Sequence, residues 1–270
     1  MITLINPPGL KTFSGLNMHT PNPPLGLAYI AGTLRSAGYG VSVIDAVGEK
    51  LEQITPFEYR EDLLVQGLDI EEIVERVDPS SNIIGITCTF STFWPLSRDT
   101  IHALRQRFPS AFIILGGEHG TAVPEDVLCS SEVDVVILGE GEETIVNLIE
   151  ALDSKQPLSE VGGIAYLDQG TFRTTMLSPR NRDIDSIPVP AWDLFPIDQY
   201  IDRHQINGMN MGRSMPLLAT RGCPYQCTFC SSPNMWTTRY IPRDPILVVD
   251  EIEYYKKKYN VTNFDFQDLT

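Results

Sequence analysis

The sequence predicts an α/β protein: a five-stranded parallel sheet, then a β-hairpin and linker, then one strand–helix–strand unit. Three observations carry this. Short apolar runs alternate with helical stripes from residue 1 to residue 152, the pattern of a parallel sheet covered by helices on both faces. Residues 163–175 alternate around a glycine turn instead, and residues 178–200 hold four prolines. Near residue 216 an apolar strand runs straight into three closely spaced cysteines.

Taken in order, Ile2–Asn6 is a short apolar strand, followed by an Asn-Pro-Pro-Gly turn and a polar loop with Phe13, Asn17, His19 and Pro21. Leu27, Ile30, Ala31 and Leu34 recur at helical spacing, and Gly38 suits the end of that helix. Val41–Asp45 is the second strand, and Ile70, Ile73, Val74 and Val77 mark the next helix. The Ile-Ile-Gly-Ile run within 82–88 reads as a strand buried on both faces. Thr100, Ile101, Leu104 and Phe108 predict a helix, 112–115 the fourth strand, 124–128 the start of a short helix and 133–138 the fifth strand. Ile145, Leu148, Ile149 and Leu152 form the last stripe. Further on, 216–220 is a strand, Pro245, Val249, Ile252 and Tyr255 mark a helix, and 262–266 is another strand. The predicted domains are 1–155, a hairpin and Pro-rich linker over 156–212, and 213–270. Ligands of open parallel sheets bind beyond the C-terminal strand ends, so the loops after the five strands are where a site is expected.

Composition narrows the function. Of 270 residues, 42% are apolar, enough for a sizeable core. The formal charge of −15 and the lack of a basic cluster argue against nucleic acid as partner. No apolar run reaches the roughly 18 residues that span a bilayer, and the N-terminus lacks a basic stretch before its early prolines, so neither a transmembrane segment nor a secretory signal is expected. Five cysteines, three of them within eight residues, do not form a secreted disulfide framework. They point to a reducing, cytoplasmic setting and a metal site.

The cluster is Arg221-Gly-Cys-Pro-Tyr-Gln-Cys-Thr-Phe-Cys-Ser231, with thiols at Cys223, Cys227 and Cys230. A loop of this spacing can wrap three thiolates around one inorganic core, and iron–sulfur centres favour such ligation. A structural zinc would want a fourth ligand, and the nearest histidine, His204, lies nineteen residues upstream. A redox pair at Cys227 and Cys230 would leave the third cysteine idle. Cys88 reads as a core residue and Cys129 as inert.

Cys-x3-Cys-x2-Cys with Phe229 before the last cysteine and a strand before the first resembles the radical S-adenosylmethionine (SAM) superfamily. The resemblance implies that Cys223, Cys227 and Cys230 hold a [4Fe–4S] cluster, that its open iron chelates SAM, and that Phe229 lies against the adenine. It implies reductive cleavage of SAM to methionine and a 5′-deoxyadenosyl radical.

The first half carries a second resemblance. Asn6-Pro-Pro8, Pro24-Leu-Gly-Leu27, Asp45, Gly116-Gly-Glu-His119 and Gly139-Glu-Gly-Glu142 are similar to the cobalamin-binding domain joined to many radical SAM enzymes, a Rossmann/flavodoxin-like fold. Gly116 and Gly117 leave room for a nucleotide tail, and Thr87 and Thr89 offer hydroxyls, with twenty-six residues between Thr89 and Gly116. His119, Gly139 and Glu140 join this set of expected cobalamin contacts. The family's Asp-x-His-x-x-Gly element reads here as Asp45-Ala-Val-Gly-Glu-Lys50. Val47 occupies the histidine position, so the resemblance implies no histidine ligand to cobalt. Simpler readings stay open: a tight turn at Gly116-Gly117, a helix start at Gly139–Glu142, and a solvated loop histidine at His119. His19 and His102 carry no signal.

Together these imply a cobalamin-dependent radical SAM enzyme, of the class B methyltransferase type or one forming a C–C bond on an unactivated carbon. A small-molecule or natural-product-like substrate and a low-potential electron donor such as flavodoxin or ferredoxin are implied as partners; no catalytic residue is assigned. Two alternatives remain: a radical SAM enzyme whose first domain is an empty docking module, and a zinc-stabilised binding protein without catalysis. A radical SAM barrel has six β–α units, and about fifty residues follow Thr220, room for the first β–α–β unit of a partial TIM-type barrel. The expectation is therefore a fragment truncated early in the barrel and inactive alone, with Asp268 at the end of its second strand either functional or solvated.

Overall fold

The computed structural model describes residues 1–12, 21–205 and 211–269; Phe13, Asn17 and His19 lie outside the described residues. In chain order the first half contains β1 (Ile2–Asn6), β2 (Gly9–Thr12), α1 (Leu25–Ser36), β3 (Val41–Asp45), α2 (Ala46–Glu49), β4 (Ile54–Pro56), β5 (Leu63–Gln66), α3 (Ile70–Arg76) and β6 (Ile83–Thr87). It continues with α4 (Trp94–Arg107), β7 (Phe112–Gly116), α5 (Glu118–Ala122), α6 (Pro124–Ser130), β8 (Val135–Ile137), α7 (Glu142–Asp153), β9 (Ile164–Asp168) and β10 (Thr171–Thr174). The rest comprises α8 (Ile197–Asp202), β11 (Ser214–Leu217), β12 (Thr220–Arg221), α9 (Ser232–Trp236), β13 (Ile241–Pro242), α10 (Pro245–Tyr259) and β14 (Asn263–Phe266).

The main sheet has the order β10-β9-β8-β7-β6-β1-β3. β3, β1, β6, β7 and β8 are mutually parallel, while β9 and β10 add on antiparallel beside β8. The strands are apolar at successive positions because both faces are covered. Leu4, Ile83 and Ile114 face α1 and α7, whereas their neighbours Ile5, Ile84 and Ile113 face α3 and α4. The chain leaves β1 for β3 on one side and then crosses to β6 on the other, so the strand order reverses between β1 and β6.

All five expected parallel strands are present, and the hairpin turns at Gln169 and Gly170, both at positive φ, as the twist of a tight hairpin demands. Its joining the main sheet was not expected. Nor was a small antiparallel sheet of β2, β5 and β4, which closes over Leu10, Phe57 and Leu96.

The C-terminal segment does not stand apart. Met215 and Leu217 of β11 and Val248, Tyr255 and Tyr259 of α10 share one core with Leu27 and Leu34 of α1 and Leu148 of α7. β11 pairs in parallel with β14. The expected single strand at 216–220 is broken after Leu217: the Asp268 carboxylate accepts from the amides of Ala219 (2.9 Å) and Thr220 (3.1 Å) in place of a continued β11–β14 ladder, and Thr220 goes on into β12.

Candidate functional site

A cavity of about 500 Å³ opens at the C-terminal ends of the parallel strands, where the strand order reverses. Its floor is the turn after β1 (Asn6–Gly9), the turn after β6 (Thr87–Phe90), the Gly116–Glu118 corner and the Gly139–Glu142 corner. Tyr29 and Ile30 of α1 form a wall. The opposite side comes from the second half: Leu218, Thr220, Arg221, Gly222, Met235 and Trp236. Sequence reasoning had assigned none of these second-half residues; only the strand leading into the cysteines hinted at them.

Six of the eight expected cobalamin contacts line this cavity: Thr87, Thr89, Gly116, Gly117, Gly139 and Glu140. Gly116 has only open space where a Cβ would stand. Gly117 has φ +103°, and a Cβ there would lie 2.5 Å from the Cys88 carbonyl oxygen. The two glycines therefore answer different needs, room above and a backbone crossing below.

Asp45 and His119 do not line the cavity. Asp45 is fully buried and caps α2, accepting from Gly48 N (3.1 Å), from Asn6 Nδ2 (2.8 Å) and from the Tyr200 hydroxyl (2.9 Å). Burial raises its pKa to about 6, against the lowering effect of those three donors. His119 is not the solvated loop residue of the simpler reading. It is 5% exposed, its ring centre 4.9 Å from that of Trp94 in a tilted contact, and it is paired through Nδ1 with Ser91 Oγ at 2.9 Å. Burial lowers its pKa, so the ring is held neutral. Val47, at the histidine position of the expected Asp-x-His-x-x-Gly element, lines the cavity.

The cysteine loop is an excursion between β12 and β13, which pair antiparallel. Gly222 sits at its base with φ +84°, and a Cβ there would meet the Arg239 carbonyl at 2.1 Å. Cys227 and Cys230 are exposed, Cys223 is partly so, and none of the three is in a disulfide. Phe229 is 91% exposed. Ser231 Oγ donates to Glu118 Oε2 at 2.9 Å, which ties the loop's end to the corner after β7. Among the described residues no three His, Cys, Asp or Glu side chains are gathered as a metal site. Cys88 is buried and its thiol is pushed up to about 11, and Cys129 is an exposed residue of α6.

The donor chemistry fits an iron–sulfur centre: three free thiols on one short exposed loop, with no histidine or carboxylate among them. The cavity fits a large flat ligand with a tail, being mostly apolar, open at Gly116 and edged by two threonine hydroxyls.

Comparison with known proteins places the first half. The B12 binding domain family matches residues 14–149. An uncharacterized methyltransferase of Pyrococcus horikoshii, PH0819, is 30% identical over 271 residues, covering 100% of this chain and 53% of its own. An anaerobic magnesium-protoporphyrin IX monomethyl ester cyclase of Cereibacter sphaeroides is 31% identical over 251 residues, covering 91% of this chain and 37% of its own. The radical S-adenosylmethionine methyltransferase TsrM of Kitasatospora setae, solved with cobalamin and a [4Fe–4S] cluster, shares the fold at TM-score 0.68 and 18% identity, over 99% of this chain and 48% of its own. The chain thus spans about half the length of these proteins or less.

Proposed function

The chain belongs to the B12 binding domain family, and from that premise we propose that it is the cobalamin-binding and cluster-binding part of a radical SAM enzyme, acting in methyl transfer or C–C bond formation on a small molecule. The observation that carries this reading is the single cavity that has the strand-end glycines on one side and the base of the cysteine loop on the other. The expected cobalamin contacts thus line the space at whose edge the cysteine loop begins, through Arg221 and Gly222.

Gly116, Gly117, Thr87, Thr89 and Val47 line the space that would hold the corrin and its tail, and Cys223, Cys227 and Cys230 would hold the cluster. When bound, the cluster supplies the electron for reductive cleavage of SAM, and cobalamin serves as methyl carrier or redox partner. The protein's own part is to shape and dry the space. Tyr29, Ile30 and Trp236 exclude water, and burial together with Glu251 holds the Tyr29 hydroxyl protonated. Reactive species are protected from solvent in such a site. The relatives' names include both a methyltransferase and a cyclase, so the shared fold is compatible with more than one reaction. A low-potential donor such as flavodoxin or ferredoxin would supply electrons to the exposed loop.

The test is anaerobic reconstitution with iron and sulfide. Expected are a brown absorbance and about four irons per chain, lost in Cys223→Ala, Cys227→Ala and Cys230→Ala, and kept in Cys88→Ala and Cys129→Ala. Zinc in place of iron, or iron retained by the triple variant, would overturn the reading.

A further inference from the structure

Glu140 and Glu142 do more than edge the cavity. They meet two arginines from distant parts of the chain. Arg221, two residues before Cys223, donates through Nη2 to Glu142 Oε1 at 2.5 Å, and its Nη1 lies 3.6 Å from Glu140 Oε1. Arg180, from the linker, donates through Nη2 to the same Glu140 oxygen at 3.2 Å. Its Nη1 donates to the carbonyls of Trp236 and Arg239, the latter at 2.6 Å. The Arg221 guanidinium also lies 5.4 Å from the centre of the Tyr29 ring and 5.3 Å from that of Trp236.

Arg221 is 4% exposed. A charge so buried is costly unless paired. Burial opposes its protonation, but Glu142, with Glu140 behind it, keeps it charged. Among the described residues its Nε and Nη1 have no hydrogen-bond partner, so the group is held by the Nη2 bond to Glu142, the nearby Glu140 charge and the two aromatic rings. Gly222 next to it is wedged against the Arg239 carbonyl. No slack separates the guanidinium from Cys223. The carboxylates, in turn, stand directly after β8, so the loop is referenced to the sheet of the first half and not only to its own half.

We propose that Arg221 is the positioning residue of the cysteine loop, fixing through Glu142 and Glu140 where Cys223, Cys227 and Cys230 lie relative to the cavity. The inference rests on the reading of that loop as a cluster site. Lysine does not replace arginine here, because it lacks both the planar fork and the flat face that stacks on aromatic rings.

The experiment compares Arg221→Lys, Arg221→Gln and Glu142→Gln with the unaltered 270-residue chain. Amide hydrogen exchange is read on iron-free protein, and iron content and electron paramagnetic resonance of the reduced cluster with added SAM are read after reconstitution. Amides 222–231 are expected to exchange about tenfold faster in Arg221→Lys and Glu142→Gln, the order of effect of losing a charge-assisted hydrogen bond. Amides of β1, β6 and β7 are expected to keep their rates. Iron per chain should stay the same while the spectrum with SAM changes. Unchanged loop exchange in both variants would overturn the proposal, and so would equal acceleration of loop and core. Should Arg221→Gln fail to fold, the other two variants decide. If the unaltered chain takes up no iron, the cluster reading fails, while the exchange rates still judge the role of Arg221.

Discussion

The Tyr200 hydroxyl donates to the Asp45 carboxylate at 2.9 Å across 155 residues of sequence, and both side chains are buried. The contact fastens the linker helix α8 to the end of β3. Gly48 is enclosed by the pair: a Cβ on it would stand 2.5 Å from the Tyr200 ring and 2.6 Å from Asp45 Oδ2.

This carboxylate predicts a pH dependence of stability. Its folded pKa, about 6, lies above its unfolded value near 3.8, so the folded state holds the proton more tightly. Below pH 3.8 both states are protonated and no penalty exists. Between about pH 4 and 6 the unfolded state ionises first, and the group's contribution falls by about 3 kcal/mol in all. Asp45→Asn cannot ionise. Its stability relative to the unaltered protein, from urea unfolding, should therefore rise as pH goes from 4 to 7. A difference that is flat across that range would exclude a buried, raised Asp45. Tyr200→Phe removes a donor to the charged form and should steepen the fall.

The two adjacent glycines after β7 should respond oppositely. Gly117→Ala puts a Cβ against the Cys88 carbonyl at an unfavourable φ and should cost at least about 2 kcal/mol. Gly116→Ala meets open space and should leave stability unchanged. Gly116→Leu should fold and yet weaken cobalamin binding about tenfold or more, because its side chain enters the cavity. Spectroscopic titration with aquacobalamin and denaturant melts check the three variants together.

Alternating apolar runs and helical stripes made the five parallel strands legible, since a strand such as Ile83–Thr87 needs both faces covered to read as it does. The three-stranded side sheet was not legible. β2 and β4 are four and three residues long, and their partner β5 lies more than fifty residues from β2. That Gly116 and Gly117 stand at the end of β7 and that the three cysteines share one short loop is legible in the sequence, because both features are local in the chain. The partners of Glu140 and Glu142 were not, because Arg180 lies 40 residues and Arg221 79 residues away, and only the fold brings them together. Asp45 was expected to meet cobalamin and instead caps a helix, a local role that its place at the end of a strand also permits.

Asp268, which the sequence alone permits to be either functional or solvated, is the acceptor for two backbone amides at the start of the cysteine segment. Asp268→Ala strands those donors and should lower stability by about 1–3 kcal/mol. Asp268→Asn keeps an acceptor oxygen and should recover at least half of that loss. Equal melts for all three proteins would mean that the turn at Ala219 is held by other contacts.

The lower face of cobalt is open to a sharper prediction. Val47, at the histidine position of the expected Asp-x-His-x-x-Gly element, lines the cavity. The described histidines are engaged elsewhere: His102 with Glu132, His204 with the Gly212 carbonyl, and His119 with Ser91 and the face of Trp94. None of these three lines the cavity. Reaching cobalt would require His119 to leave its tilted contact with Trp94 and its buried pocket. The Co(II) form of the cobalamin complex should therefore show no axial splitting from a protein imidazole in electron paramagnetic resonance, and Val47→His should introduce one. If a three-line nitrogen pattern is already present and disappears in His119→Ala, the cavity must rearrange on binding, and the lower face would have to be assigned to His119.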